Sequence, residues 1–145
     1  MKWKVFILLL SFIGFAISQT ITGEANSLEF LKDKLIYKGN VILHRDDAIL
    51  KADEVVILLD KENKPFKLIA KGRVRFREKG RKAEAQFAEY DLKKETIYLK
   101  GNARIEEEGR IIEADEIIIY KKERRLVAKG KGKRVRTVYV DTRGR

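Results

Sequence analysis

The chain has 145 residues and no cysteine, and its 33 lysines and arginines outnumber 22 acids to give a formal charge of +11. This length suits one domain of ordinary size, and the absence of cysteine excludes both disulfide bonds and cysteine-based metal sites. The basic balance favours an anionic partner, whether a phosphate-bearing lipid, a polysaccharide or a nucleic acid.

The first 18 residues have the features of a cleaved secretory signal peptide. Lys2 and Lys4 precede a mostly apolar run over 5–17, and Ala16-Ile17-Ser18 has the small-x-small layout of a cleavage site. The run is shorter than the roughly 20 residues needed to cross a bilayer, although an uncleaved anchor helix is the alternative. We predict a signal peptide at 1–18 and one β domain at 19–145.

A repeated pattern of alternating apolar residues follows. Each of four copies has a lysine and a glycine at its centre, and Gly39, Gly72, Gly101 and Gly130 are 33, 29 and 29 residues apart. A second motif, which we call the alanine mark, alternates with this glycine mark. It is an alanine followed by Asn, Asp or Gln at 25–26, 52–53, 85–86 and 114–115. Such spacing is typical of stacked supersecondary units.

The period of two predicts half-buried strands. Leu35 and Tyr37 share one face with Val41 and Leu43, on either side of a glycine that we expect to bend the strand. After each alanine mark the apolar parity slips by one, so we predict a β-bulge there that carries the strand from one sheet into another. Residues 82–95 would suit a helix by propensity, but their alignment with the other repeats favours a strand.

The predicted fold class is therefore all-β, with two facing antiparallel sheets built from about four repeats around an apolar interior. The connecting turns are short and polar, which favours antiparallel neighbours. We also expect lysines at 38, 71, 100 and 129 to recur on every second strand, with Asp53, Gln86 and Asp115 between them.

The residue types that catalysis needs are scarce. Beyond residue 18, Ser27 is the only serine and His44 the only histidine. One is expected beside a corner and the other beside a turn, so no Ser-His-Asp or Cys-His site can be assembled. Metal-ligand spacing and phosphate-binding glycine loops are equally missing. We predict no catalytic residues, no metal and no cofactor, and interpret the chain as a binding protein.

Two stretches resemble the OstA-like family. Residues 38–42, followed by 50–56, resemble its repeated core, and residues 133–140 resemble the closing strand of its lipopolysaccharide transport members. Arg73 and Lys131 depart from the pattern, because each replaces the asparagine that follows the glycine. The resemblance implies a twisted jelly roll open along one side, also called a β-taco, which carries lipopolysaccharide through the periplasm from the inner to the outer membrane.

The resemblance also implies partners and a site. The partners would be lipopolysaccharide, inner-membrane LptC-like and outer-membrane LptD-like proteins and further copies of the chain stacked end to end, with no nucleic acid expected. Lysines and arginines at the rim would contact phosphates, namely Lys38, Lys71, Arg73 and Lys100. The first and last strands could add to another sheet near Ile21, Val135, Val138 and Val140. Acyl chains would be buried against Leu28, Phe30, Tyr37, Val41, Leu43, Val55, Ile57, Phe76, Leu99, Ile105, Ile117 and Ile119.

Three alternatives remain open on the sequence. One is a membrane-anchored LptC-like protein of the same fold, which would retain residues 1–18. Another is an exported basic module that binds polysaccharide or nucleic acid with strong salt dependence, through Lys71, Arg73, Arg75, Lys100 and Arg104. An enzyme is the third and is disfavoured by the residue inventory. For each apolar residue, plain core packing would produce the same pattern as a groove.

Overall fold

The computed structural model describes residues 21–140, whose regular elements are all β-strands, so the predicted all-β class is confirmed. The signal peptide predicted at 1–18 lies outside the described residues. Within the described range no helix is long and apolar enough to span a bilayer. The strands are β1 (Ile21–Glu24), β2 (Ser27–Leu31), β3 (Lys34–Arg45), β4 (Ala48–Leu59), β5 (Pro65–Glu78), β6 (Arg81–Asp91), β7 (Thr96–Glu107), β8 (Arg110–Tyr120), β9 (Arg125–Lys129) and β10 (Arg136–Tyr139).

The six long strands β3 to β8 pair consecutively and antiparallel in one continuous sheet. At one end β2 pairs with the first half of β3 and β1 with its second half. At the other end β10 pairs with the first half of β8 and β9 with its second half. The terminal strands do not pair with each other, so the sheet does not close. The helix-prone segment at 82–95 forms β6 and the turn after it, as its alignment with the other repeats predicted.

Each long strand bends at its middle. Between the pairs Lys38–Glu54 and Val41–Ala52, two residues of β3, Gly39 and Asn40, lie opposite one residue of β4. The same two-against-one bulge recurs at residues 72–73 of β5 and 101–102 of β7. The extra residue thus lies on the glycine strands, and our placement of the bulge on the alanine strands was wrong.

The reason for this placement is backbone conformation. Gly39 and Asn40 have φ angles of 85° and 47°, and the same left-handed pair occurs at 72–73 and 101–102. Glycine adopts this region without steric cost and asparagine tolerates it better than most residues. The slip in apolar parity on the alanine strands is nevertheless real, because β4 buries Ala48 and Ala52 before the corner and Val55 after it.

The bends divide the sheet into two layers around the core. Layer A contains β2, the first halves of β3, β5 and β7, the second halves of β4, β6 and β8, and β9. Layer B contains β1, the remaining halves and β10.

The buried side chains form two clusters. The large-residue cluster consists of Leu35, Tyr37, Val41, Leu43, Ala52, Val55, Ile57, Leu59, Leu68, Ala70 and Val74. The alanine-rich cluster consists of Ala85, Leu99, Ala103, Ala114 and Ile117.

Candidate ligand-binding groove

The twelve side chains predicted to line a groove share the inward parity but differ in exposure. Seven are buried, namely Tyr37, Val41, Leu43, Val55, Ile57, Leu99 and Ile117. Three more are half-buried, namely Phe76, Ile105 and Ile119. Leu28 and Phe30 pair with Tyr37 and Leu35 in register, but they are 52% and 46% exposed because β2 is the last strand of its layer.

The interior differs between its two ends. In the large-residue cluster, between β3 and β5, Leu, Ile and Val side chains fill the space and bury one another almost completely. In the alanine-rich cluster, between β6 and β9, three of the five buried residues are alanines. Apolar side chains pack around this cluster while still only partly buried, namely Ala83, Ala88, Ile97, Ile105, Ile112, Ile119 and Ala128. Small side chains beside half-exposed isoleucines form an apolar surface suited to hydrocarbon.

Ile97 and Ile112 belong to this surface and were missing from the predicted lining. Both were visible in the alternation, since Ile97 shares its parity with Leu99, and Ile112 with Ala114. They also face other lining residues across the ladder, Ile97 opposite Ile119 and Ile105 opposite Ile112. Extending each inward-facing series to the end of its strand would have found them.

The predicted rim residues lie along the corners. Cross-strand pairing connects Lys38, Glu54, Lys71, Phe87, Lys100, Glu116 and Lys129 in one line, which we call the corner row. The lysines point outward, because their parity is opposite to that of the buried residues. Their register partners are Glu54, Phe87 and Glu116 rather than the predicted Asp53, Gln86 and Asp115. The predicted contact between Lys38, Lys71 or Lys100 and a ligand's phosphates is untested, and the outward direction of these lysines argues against it.

Carboxylates neutralise much of this outer surface. Arg73 donates from Nη2 to Asp53 Oδ1 at 2.7 Å, and Arg104 donates from Nε to Glu113 Oε2 at 3.2 Å. The five cations proposed as a polysaccharide or nucleic-acid site are therefore interrupted by acids. Such interruption weakens the electrostatic attraction on which that alternative depends.

Glu116 is the buried member of the corner row. Its Oε2 atom accepts a hydrogen bond from the Tyr98 hydroxyl at 2.6 Å and lies 3.2 Å from Lys131 Nζ. The hydrogen bond from Tyr98 lowers the pKa of Glu116 and raises the pKa of Tyr98 to about 12. This contact connects the outer face of β7 to the chain that follows β9.

The fourth corner differs from the first three. Instead of a bulge and a continuing strand, residues 130–135 form a loop that leads to β10. Asp115 Oδ2 accepts hydrogen bonds from the backbone N–H groups of Lys131, Gly132 and Lys133. These bonds, led by that of Lys133, lower the pKa of Asp115 to about 2. The departure at Lys131 thus coincides with the loss of the corner, whereas Arg73 adopts the same φ of 47° as Asn40.

Exposed apolar side chains are concentrated at the two ends of the sheet. Ile21 begins β1, whose backbone pairs on one side with β3. Val138 of β10 is half-buried, while the flanking Val135 and Val140 are 41% and 47% exposed. All the large apolar side chains that are exposed in the described chain lie at these ends: Leu28, Phe30, Leu31, Leu126, Val135, Tyr139 and Val140.

The two side chains considered for catalysis lie in different layers. Ser27 pairs with Lys38 in layer A, whereas His44 lies opposite Thr22 and Ile49 in layer B. Across residues 21–140 no group of three or more His, Asp or Glu side chains could hold a metal ion.

Residues 20–125 match the family model described as "LptA/(LptD N-terminal domain) LPS transport protein". The chain belongs to this lipopolysaccharide transport family. The predicted resemblance to OstA-like transport proteins is thereby confirmed. Membership in the LptA/LptD family also agrees with a structural match to LptH of Pseudomonas aeruginosa, described as the LptA homologous periplasmic component of the conserved lipopolysaccharide transport device. That match has a TM-score of 0.73 at 19% identity and covers 85% of this chain and 96% of LptH. No curated protein matches the chain.

Proposed function

We propose that the protein is a periplasmic bridge that binds lipopolysaccharide and carries it from the inner to the outer membrane. Family membership supports the substrate class. The observation that carries the mechanism is the half-exposed apolar surface around the alanine-rich cluster, where Ile97, Ile105, Ile112 and Ile119 face inward. Burial of an acyl chain there would stabilise the complex by about 0.8 kcal/mol per methylene. Transfer would need no covalent step and no cofactor.

The bridge would assemble through the ends of the sheet. The outer edges of the terminal strands carry backbone groups that can extend another sheet, and the exposed Phe30 and Tyr139 lie beside them. An LptC-like protein at one end, an LptD-like protein at the other and further copies between them would then form a continuous path.

Release of the protein into the periplasm depends on cleavage of the signal predicted at 1–18. Mass spectrometry of the exported protein should find an amino terminus at residue 19. Retention of residues 1–18 would instead favour the membrane-anchored LptC-like alternative.

Photo-crosslinking tests the groove directly. A photoreactive residue is placed at inward Ile105, at inward Leu43 or at outward Lys38, and the cells are irradiated. We expect lipopolysaccharide adducts at Ile105, weaker adducts at Leu43 because the large-residue cluster fills that end, and none at Lys38. Equal capture at Lys38 and Ile105, or capture at neither inward position, would contradict the proposal.

A further inference from the structure

The half-strands of the two layers end in two different rows of turns. Row A joins the strands of layer A and consists of residues 32–33, 60–64, 92–95 and 121–124. Row B joins those of layer B and consists of residues 46–47, 79–80 and 108–109. Backbone hydrogen bonds connect successive segments of row A, from Leu59 N to Asp33 O, Leu92 N to Phe66 O and Lys121 N to Glu95 O.

The two rows carry opposite charge. Row A has eight lysines and arginines against five acids, a net +3, whereas row B has one lysine against three acids, a net −2. An anionic group held at the edge of the interior is therefore attracted to row A and repelled by row B.

Aspartates in row A and at its border accept hydrogen bonds from the turn backbone, and the charge of nearby Lys93 also lowers the pKa of Asp60. Asp60 Oδ1 accepts the backbone N–H groups of Glu62 and Lys64, at 2.8 and 2.9 Å. Asp91 Oδ1, at the end of β6, accepts those of Lys93 and Lys94, both at 3.0 Å. Hydrogen bonds from Lys64 and Lys94 are the main causes that lower the pKa of Asp60 and Asp91, respectively.

Two lysines of row A lie over aromatic rings near the turns of that row. Lys93 Nζ is 5.5 Å from the centre of the Phe66 ring, and Lys121 Nζ reaches across β7 to within 5.4 Å of the Tyr90 ring. Tyr90 lies opposite Leu68 and packs against the large-residue cluster. Phe66 is half-buried at the start of β5, where the pairing with β4 is irregular. Both ammonium groups are thus held where the apolar interior meets the turns, and an ammonium group over a ring is held by cation–π attraction.

We infer that row A binds the phosphate groups of the acylated ligand, with Lys93 and Lys121 as the contacting cations. The inference rests on the proposed function. It fixes the orientation of the ligand, because the phosphorylated head lies at row A and the acyl chains enter between the layers. The corner row is less suited to this role, since its lysines point outward and alternate with Glu54 and Glu116.

The test compares two charge-matched double variants of the mature protein. Lys93→Gln/Lys121→Gln removes two cations from row A, and Lys38→Gln/Lys71→Gln removes two from the corner row. Each protein is titrated with bisphosphorylated lipid A and with the same lipid after phosphatase treatment. We expect the row A variant to bind the phosphorylated lipid about tenfold more weakly, which corresponds to the loss of two solvent-exposed charge contacts of about threefold each. Its binding of the dephosphorylated lipid, and both affinities of the corner-row variant, should not change.

Control measurements distinguish this inference from a loss of folding and from a failure of the proposed function. Lys93→Arg/Lys121→Arg should restore the preference for phosphate, and unaltered thermal unfolding should show that the Gln variant is folded. Equal losses in both double variants would overturn the inference, as would deacylated lipid A phosphates that bind as tightly as the whole lipid. If wild-type protein binds neither form of lipid A, the proposed function fails; if only the row A effect is missing, this inference fails alone.

Discussion

Gly72 packs against the side chain of Asp53 on the preceding strand, and this close approach explains why the two sequence marks alternate. A Cβ atom added at Gly72 would lie 2.9 Å from Asp53 Cβ, and one at Gly101 would lie 2.8 Å from Gln86 Cβ. Gly39 has the same relation to Asn26. Each glycine therefore satisfies two demands at once, a left-handed backbone and space for the polar side chain beside it. The alanine mark and the glycine mark are two halves of one corner.

Gly72→Ala should lower the free energy of unfolding by about 3 kcal/mol, because it adds both a left-handed strain and a steric overlap. Gly80→Ala is the matched control, since Gly80 has a φ of 73° but no atom within 4 Å of an added Cβ. Its cost should be about 1 kcal/mol from the backbone alone. Urea unfolding measures both values, and equal costs would show that contact with Asp53 is unimportant.

At the scale of elements, the loop at 130–135 determines where β10 lies. Asp115 binds the loop backbone, and Glu113 Oε1 accepts a hydrogen bond from Arg136 Nη1 at 3.0 Å. Lys133 Nζ adds a contact of 3.4 Å to Asn102 Oδ1. The fourth repeat thus ends the series. Its Gly130 forms no bulge, and the chain reaches β10 in layer B through this loop instead of along a bent strand.

The attachment of β10 should weaken in acid. The pKa of Asp115 is about 2 in the folded protein, against an ordinary 3.8. Its carboxylate therefore stabilises the fold fully at pH values above the ordinary pKa. This contribution disappears as the pH falls from there through about 2. Hydrogen exchange of the β10 amides should accelerate over that range.

Asp115→Asn should accelerate hydrogen exchange of the same amides near neutral pH. It should also remove most of the further increase in their exchange rate at acidic pH. Asp47→Asn removes a carboxylate from an exposed turn far from the loop and is the control. Protection of β10 that is identical in the wild-type and Asp115→Asn proteins across this range would contradict the role of Asp115.

At the scale of the whole molecule, the interior is densely filled at one end and sparsely at the other. Ile57 is 1% exposed in the large-residue cluster, whereas Ile119 is only partly buried beside the alanine-rich cluster. The first end therefore provides folding stability, and the second provides apolar surface that is still available to a ligand.

Ile57→Ala should lower the unfolding free energy by about 3 kcal/mol, and Ile119→Ala by only about 1 kcal/mol, because less of its side chain leaves water on folding. Lipid affinity should respond in the opposite order, with the larger loss for Ile119→Ala. Urea titration and lipid A binding on the same samples measure the two effects. A larger loss of affinity in Ile57→Ala would contradict the division between the ends.

Self-association should depend on the ends of the sheet. Phe30→Ser and Tyr139→Ser remove exposed side chains from β2 and β10. Each should raise the dissociation constant of self-association by about tenfold, which sedimentation velocity would show as a shift toward the monomer. Phe87→Ser is the control, because it removes an aromatic side chain from the outer face of the central strand β6, where it contacts Tyr98. An equal shift in the control would argue against end-to-end contact.

Local chain geometry was sufficient to predict the strands, their antiparallel order and the inward series through Leu35, Tyr37, Val41 and Leu43. Alternation and glycine spacing are properties of neighbouring residues, so they can be read along the chain. The helix-prone β6 was also predicted correctly, because its alignment with the other repeats indicated a strand although its helix propensity favoured a helix.

Only the tertiary structure decided which side chains meet. In the structure the extra residue lies on the glycine strands, Glu54 and Glu116 pair with the corner lysines, and Lys93 and Lys121 lie over the rings of Phe66 and Tyr90. It also decided that isoleucines of equal parity are buried at one end and half-exposed at the other. These outcomes depend on how side-chain volumes pack across several strands and both layers. Alternation along a single strand carries no information about that packing.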